Sequence, residues 1–183
     1  MNLRVFCLIF LAFGTVFAEF PNSAFEEKHH QLALVLGQGT RGNRHSATGF
    51  RIEQLYSVSI TYSQPNQFFR LPGRRNCEFI MHRGAGEFSR FNNLIWGLSQ
   101  DVISPSLWRM YLGFGIGGYI KSEQTDRISS LFTFGQKGFL GVQVMEQIRL
   151  ELFTRHFSNG TLTNTSTGYD FTGLSVIWNF GSR

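Results

Sequence analysis

The chain contains repeated segments in which apolar and polar residues alternate, and this period of two predicts β-strands. In residues 55–63, tyrosine and aliphatic side chains alternate with serine and threonine, and in residues 107–120 bulky apolar side chains alternate with small or polar ones. A polar stretch that contains Pro65 and Pro72 is expected to lie outside the strands. The pattern predicts eight strands, at residues 31–38, 55–63, 77–83, 91–100, 107–120, 130–145, 147–158 and 169–180.

The predicted strand at residues 147–158 has faces of unusual polarity. One face is apolar and ends in His156 and Ser158. The opposite face carries three charged residues: Arg149, Glu151 and Arg155. This arrangement is explained if the apolar face contacts lipid and the charged face lines a closed interior. Small inward residues in 107–120 also fit a narrow barrel. We therefore expect an all-β chain that folds as an eight-stranded antiparallel transmembrane β-barrel.

A soluble lipocalin-like binding barrel is the rival fold, and it would need a continuous apolar interior. Arg109, Arg149 and Arg155, which we expect to point inward, argue against it. The content of 20 Gly and 20 Phe with only 4 Pro in 183 residues agrees with an all-β chain. Aromatic residues near predicted strand ends are expected to form girdles at the membrane interfaces. They are Tyr56, Tyr62, Trp108, Tyr119, Tyr169, Trp178 and Phe180.

The N-terminal segment has the pattern of a targeting sequence. Arg4 precedes an uncharged run over residues 5–18, which is too short to span a bilayer as a helix. We expect residues 1–18 to be a secretory signal peptide cleaved near Ala18, and residues 19–183 to form a single outer-membrane barrel domain. Cleavage would leave Cys77 as the only cysteine, so we expect no internal disulfide.

Other motifs give no support for a cofactor, a metal or nucleic acid. His29 and His30 have no third ligand with metal-site spacing. Gly113, Gly115 and Gly118 match a dinucleotide-binding spacing but lack its strand–helix context, so they are interpreted as barrel glycines. The formal net charge of +5 includes no basic block with interleaved aromatic residues, and we therefore expect no nucleic-acid partner.

The most informative chemistry is the pair His156 and Ser158. Two residues apart on one strand face, their Cα atoms should lie roughly 6.5–7 Å apart, so the imidazole could act as a general base for the hydroxyl. Asp170 falls on the corresponding face of the last predicted strand and could orient the imidazole. His-x-Ser tripeptides are common and usually carry no function. Ionisable groups on a lipid-facing surface are costly, however, and usually functional.

The motif Arg-His-Phe-Ser-Asn at residues 155–159, together with Asp-Arg-Ile-Ser at residues 126–129, is similar to motifs of the PagL family of lipid A 3-O-deacylases. The resemblance covers the C-terminal half of the chain well and the N-terminal half only in pattern. It implies an eight-stranded outer-membrane barrel that hydrolyses the ester-linked 3-hydroxyacyl chain at position 3 of lipid A. The implied partners are lipopolysaccharide as substrate and outer-membrane lipid.

The resemblance also implies roles for individual residues. The family's catalytic histidine and serine fall on His156 and Ser158, and Asn159 is the expected contributor to an oxyanion hole. The family's catalytic acid is usually Glu, and its position is occupied by Asp170, whose side chain is one methylene shorter. No metal or cofactor is implied. The alternative function is a non-catalytic barrel with an adhesion or membrane-integrity role, and a homodimer is left open.

Overall fold

A computed structural model describes residues 29–42, 50–68, 70–106, 108–160 and 167–182. Eight antiparallel strands pair in chain order, and pairing of the first with the last closes the barrel. The strands are β1 (His29–Gly42), β2 (Phe50–Phe68), β3 (Leu71–Gly84), β4 (Asn92–Ile103), β5 (Met110–Lys121), β6 (Phe132–Gln143), β7 (Ile148–Ser158) and β8 (Tyr169–Ser182). The predicted all-β, eight-stranded barrel is confirmed. The expected signal peptide lies outside the described residues.

Several strands are longer than the sequence pattern indicated. β2 includes Pro65 and β3 includes Pro72, although this stretch was expected to lie outside the strands. The two strands form a hairpin that pairs to its tip, with Pro65 opposite Arg74 and Gln67 opposite Pro72. Hydrogen bonding between neighbours in a closed barrel therefore extends the strands past the local turn signals carried by proline.

The exterior of the barrel is apolar, as the alternation predicted. On β7, Leu150 and Leu152 are exposed, whereas Arg149, Glu151 and Arg155 are buried. Leu174 and Trp178 on β8 are 59% and 52% exposed. An apolar outward belt around a closed sheet is the surface that a bilayer requires of a spanning barrel. No helix among the described residues is long and apolar enough to span a membrane.

The interior is filled by ion pairs between two apolar clusters. Arg74 contacts Asp101 at 2.8 Å and Glu151 at 2.9 Å, and Arg155 contacts Glu78 at 2.6 Å. The interior also contains two clusters of buried aromatic and aliphatic side chains. The charged interior agrees with the prediction made from Arg149 and Arg155 and differs from the continuous apolar cavity of a lipocalin-like barrel.

The expected positions of three side chains were wrong. Arg109 was expected inside the barrel, but it lies exposed in the β4–β5 turn with φ 71°. Tyr119 was expected in an interfacial girdle, but it is buried in the interior and donates a hydrogen bond to Glu78 at 2.7 Å. Gly97 makes room for it, because a Cβ there would lie 2.2 Å from the Tyr119 ring. Tyr169 is likewise buried rather than interfacial.

The connections after β1, β3, β5 and β7 lie at one end of the barrel, called here the long-loop end. The connection after β5, for example, covers residues 122–131, whereas the turn after β6 covers only 144–147. Bacterial outer-membrane barrels have their longer loops on the extracellular side. The C-terminal end of β7 and the start of β8 both belong to the long-loop end.

Candidate active site

His156 and Asp170 form a hydrogen-bonded pair on the outward face of the barrel at the long-loop end. The β7–β8 register places the two residues directly opposite each other. His156 Nδ1 lies 2.7 Å from Asp170 Oδ1, and the side chains are 41% and 43% exposed. Directly opposed residues have Cβ atoms only about 4.5–5.5 Å apart, so the short aspartate side chain is sufficient to reach the imidazole.

Ser158 is the last residue of β7 and lies on the same outward face as His156. Its side chain is half-buried, and its main-chain carbonyl accepts a hydrogen bond from Thr133 Oγ1 at 3.0 Å. Between the described His156 and Ser158 side chains there is no hydrogen bond. Since Asp170 engages Nδ1 of the imidazole, Nε2 is the nitrogen left to act on the serine hydroxyl. Rotation about χ1 of Ser158 can direct its hydroxyl toward Nε2.

Asn159 has a different environment from the other three predicted residues. It follows β7 directly and is fully buried, so its side chain does not share the exposed outer surface with His156. Gly160, next in the chain, turns the backbone with φ 63°. The structure therefore brings His156, Ser158 and Asp170 to one surface and places Asn159 at its edge.

Gly168 is a site residue that no strand pattern in the sequence singled out. Its φ is 70°, and a Cβ there would lie 2.6 Å from His156 Cε1 and 2.8 Å from the Phe157 carbonyl oxygen. Real Cβ atoms do not approach other atoms so closely. Glycine thus allows the chain to pass against the imidazole and then enter β8 with Asp170 in register.

Arg127 is a second residue near the site whose contacts could not be read from the sequence. Its two terminal nitrogens donate hydrogen bonds to both carboxylate oxygens of Glu53, each at 2.7 Å. Its guanidinium lies 5.1 Å from the centre of the Tyr169 ring, next to Asp170 in the chain. The only signal in the sequence was the Asp-Arg-Ile-Ser motif at residues 126–129.

A groove of about 440 Å³ runs along the outer surface on the membrane side of the His156–Asp170 pair. Thr154 and Thr172 are the next outward-facing residues before His156 on β7 and after Asp170 on β8. Gly138 on β6 is opposite Thr154. A Cβ on Gly138 would meet only a methyl group, at 4.0 Å. Leucines form the apolar sides of the groove: Leu112, Leu140 and Leu152. The small residues therefore leave an apolar channel beside Thr154 and Thr172, which are two residues from His156 and Asp170 along their strands.

A model of the lipid A 3-O-deacylase (PagL) family matches residues 78–179, more than half of the 183-residue chain. The chain belongs to the PagL family. The matched segment includes His156, Ser158, Asn159 and Asp170. Among curated proteins, no sequence matches the chain.

Solved structures with a similar fold are outer-membrane barrels. The crystal structure of the outer membrane enzyme PagL is 14% identical with a TM-score of 0.55, covering 82% of this chain and 99% of that chain. Neisserial surface protein A gives the same identity and TM-score over 82% and 96% of the two chains. Ail of Yersinia pestis is 10% identical with a TM-score of 0.50 over 84% and 100%. At these identities the likeness establishes the fold, a transmembrane barrel of the outer-membrane type.

Metal-ligating side chains are not clustered in this PagL-family barrel. In the part of the chain that the structure describes, no three His, Cys, Asp or Glu side chains are close enough to hold a metal ion. Cys77 is a free thiol exposed on the outer face of β3.

Proposed function

We propose that the protein is an outer-membrane lipid A deacylase that hydrolyses the ester-linked 3-hydroxyacyl chain at position 3 of lipid A. One observation carries the proposal: a histidine–carboxylate pair at 2.7 Å, with a serine two residues away, lies on the membrane-facing surface of a PagL-family barrel. Ionisable groups on such a surface are costly and are usually functional. The position of the ester is taken from the family description.

In the proposed mechanism, His156 is the general base and Ser158 the nucleophile. Asp170 accepts a hydrogen bond from Nδ1–H, which fixes the tautomer so that Nε2 can accept a proton. Nε2 takes the proton of the Ser158 hydroxyl as Oγ bonds to the ester carbonyl carbon. The carbonyl oxygen becomes an oxyanion, for which Asn159 contributes its backbone N–H as a donor.

Collapse of the tetrahedral intermediate breaks the bond between the carbonyl carbon and the sugar oxygen. His156 returns its proton to that oxygen, and the sugar hydroxyl leaves. Water, deprotonated by His156, then attacks the acyl carbon on Ser158. The bond between that carbon and Ser158 Oγ breaks, His156 returns the proton to Oγ, and the free 3-hydroxy fatty acid leaves. No metal or cofactor takes part in this sequence.

The outer groove supports a lipid ester as the substrate. A substrate anchored in the bilayer approaches from the side, and the channel past Gly138, Thr154 and Thr172 can take an acyl chain while its ester lies at Ser158. The long-loop end is the extracellular end of an outer-membrane barrel, so the site would face the outer leaflet.

The proposal also includes the sequence predictions on targeting, domain organisation and partners. We propose that residues 1–18 are a signal peptide, which would direct the enzyme to the bacterial outer membrane. Residues 19–183 would form the single barrel domain. Lipid A is the proposed partner, and the comparisons give no support for a homodimer. The alternative role as a non-catalytic barrel for adhesion or membrane integrity has no observation that favours it.

The test is the composition of lipid A in cells that express the protein. Wild type, Ser158→Ala and His156→Asn would be produced in a bacterium with an intact lipid A-containing outer membrane. Mass spectrometry should show lipid A lacking one 3-hydroxyacyl chain only with wild type. Heat-modifiable gel migration would verify that each variant forms a barrel. Unchanged lipid A in the presence of folded wild-type protein would refute the proposed activity.

A further inference from the structure

We propose that Arg127 is a positioning residue, which acts from the β5–β6 connection to fix the start of β8 and so hold Asp170 against His156. The proposal rests on the proposed function. Arg127 makes three kinds of contact, with Glu53, with the main chain at Thr167 and with the Tyr169 ring. The first contact anchors the Arg127 side chain, and the other two connect Arg127 to the residues just before Asp170.

The contact with Glu53 anchors Arg127 across the mouth of the barrel. Glu53 lies on β2, which is four strands away from β6 in the closed barrel of eight. The Arg127 and Glu53 side chains are 16% and 4% exposed, and both hydrogen bonds measure 2.7 Å. A bidentate arginine–carboxylate pair fixes orientation as well as distance. The guanidinium is therefore held in one place by a strand remote from the site.

The other contacts connect this fixed point to the residues just before Asp170. The Arg127 carbonyl oxygen accepts a hydrogen bond from the Thr167 N–H at 3.1 Å. The guanidinium lies 5.1 Å from the Tyr169 ring centre, within the range of a cation–π contact. Both neighbours of Gly168 are thus attached to Arg127. Gly168 itself contacts His156, and Asp170 follows two residues later.

The positive charge of Arg127 is firmly maintained. Hydrogen bonds to Glu53 raise the pKa of the guanidinium above its ordinary value, and the negative charges of Glu53 and Asp170 also contribute. Arg127 therefore keeps its positive charge beside the Tyr169 ring. Loss of this residue would free the start of β8 on the side from which Asp170 meets the imidazole.

A double-mutant cycle separates positioning from a general structural role. Wild type, Arg127→Ala, Arg127→Lys, Asp170→Asn and the Arg127→Ala/Asp170→Asn double variant would be purified in detergent micelles and assayed with lipid A. Arg127→Ala should lower kcat by about tenfold to a hundredfold, the cost of misplacing a catalytic group, with KM within about twofold. Arg127→Lys should recover part of the loss, because it keeps the charge but not the bidentate geometry.

The decisive comparison is the effect of Arg127→Ala in the Asp170→Asn background. If Arg127 acts through Asp170, the double variant should be no slower than Asp170→Asn alone. Arg51→Ala is the matched control, because Arg51 also pairs with a glutamate at this end of the barrel, but at 3.4 Å and in solvent. Its kcat should equal that of wild type. An equal fold-loss from Arg127→Ala in both backgrounds, or no loss in either, would overturn the proposal.

A second measurement does not depend on turnover. In protein labelled with ¹⁵N-histidine, the Nδ1 proton shared by His156 and Asp170 should give a downfield resonance, identified by its absence in Asp170→Asn. The resonance should persist in Arg51→Ala and disappear in Arg127→Ala, and its persistence in folded Arg127→Ala would contradict the positioning role. If Arg127→Ala does not fold, Arg127→Lys and Glu53→Gln take its place, with a weakened resonance expected in both. An inactive wild type would instead refute the proposed function.

Discussion

Charged side chains occur in two regions of this barrel, and the regions differ in burial and in the number of ion-pair partners. Inside, Asp101 is fully buried and contacts both Arg74 and Lys137, at 2.8 and 2.9 Å. On the outer surface, His156 and Asp170 are more than two-fifths exposed and share one hydrogen bond at 2.7 Å. Among the described residues, Nε2 of His156 has no hydrogen-bond partner. The interior groups are buried away from solvent and fill the barrel, whereas the outer pair is exposed and keeps Nε2 available for chemistry at the surface.

The difference indicates separate consequences for stability and for activity. Removing one partner of a buried ion pair leaves an uncompensated charge, so interior substitutions should weaken folding. The outer groups at the end of β7 support little packing, so their substitution should stop chemistry and leave the barrel intact.

Replacing Ser158 should give the largest effect, and it should fall on activity alone. Ser158→Ala removes the proposed nucleophile, and we expect kcat for lipid A deacylation to fall by about 10⁴-fold or more. Because the side chain is small and at a strand end, the free energy of unfolding should change by less than about 0.5 kcal/mol. Kinetics in micelles and urea titration in lipid vesicles would measure the two quantities. Residual activity above a tenth of wild type would contradict the assignment.

Replacing Arg155 should produce the reverse result. Arg155→Ala leaves the buried Glu78 carboxylate without its ion-pair partner at 2.6 Å, and we expect a loss of about 3–5 kcal/mol in the free energy of unfolding. The folded fraction should retain its kcat. Urea titration with tryptophan fluorescence would measure the loss, and Arg75→Ala, an exposed arginine on β3, is the control. Equal stability of the two variants would show that the interior pairs are not needed for folding.

Gly168→Ala should have an intermediate effect on activity. The added Cβ would collide with His156 Cε1 at 2.6 Å, so the imidazole must move and kcat should fall by about tenfold to a hundredfold. Gly181→Ala controls for backbone strain, because Gly181 also has a positive φ of 63° while its nearest neighbour would be 3.9 Å away. A similar loss of kcat in both variants would assign the effect to strain and not to His156.

Filling the outer groove should give the smallest effect, and one that depends on the substrate. Gly138→Leu places a side chain in the channel beside Thr154, so kcat/KM should fall by about threefold to tenfold for esters of long acyl chains, since roughly one to two CH₂ groups of the acyl chain lose their burial. Short-chain esters that do not reach the groove should react as with wild type. An equal decrease for both chain lengths would mean that this channel does not bind the acyl chain.

The sequence was sufficient to predict the features that depend on local alternation. The outward positions of His156, Ser158 and Asp170 follow from counting in twos along β7 and β8, and the structure has them on that face. Their catalytic roles remain predictions. The count of eight strands was also correct, because each strand carries its own alternating pattern.

Features that depend on contacts between distant segments could not be read from the sequence. The proposed role of Arg127 depends on its pairing with Glu53, which is 74 residues away in the chain. No local pattern in the sequence indicates that pair. The fit of Gly168 against His156 depends on the path of the β7–β8 connection. Tyr119 was misplaced because an aromatic residue near a strand end suits an interface as well as an interior position opposite Gly97. In each case the position of the residue depends on contacts between distant segments and not on composition.

The most direct test of the central claim is covalent trapping of the nucleophile. Purified protein in micelles would be treated with a long-chain alkyl fluorophosphonate, which forms a stable bond with an activated serine hydroxyl, and digested for peptide mass spectrometry. We expect a single phosphonylated residue, Ser158, in wild type and no labelling in His156→Asn. Labelling of another residue, or none in folded wild-type protein, would contradict the account of this outer surface as an active site.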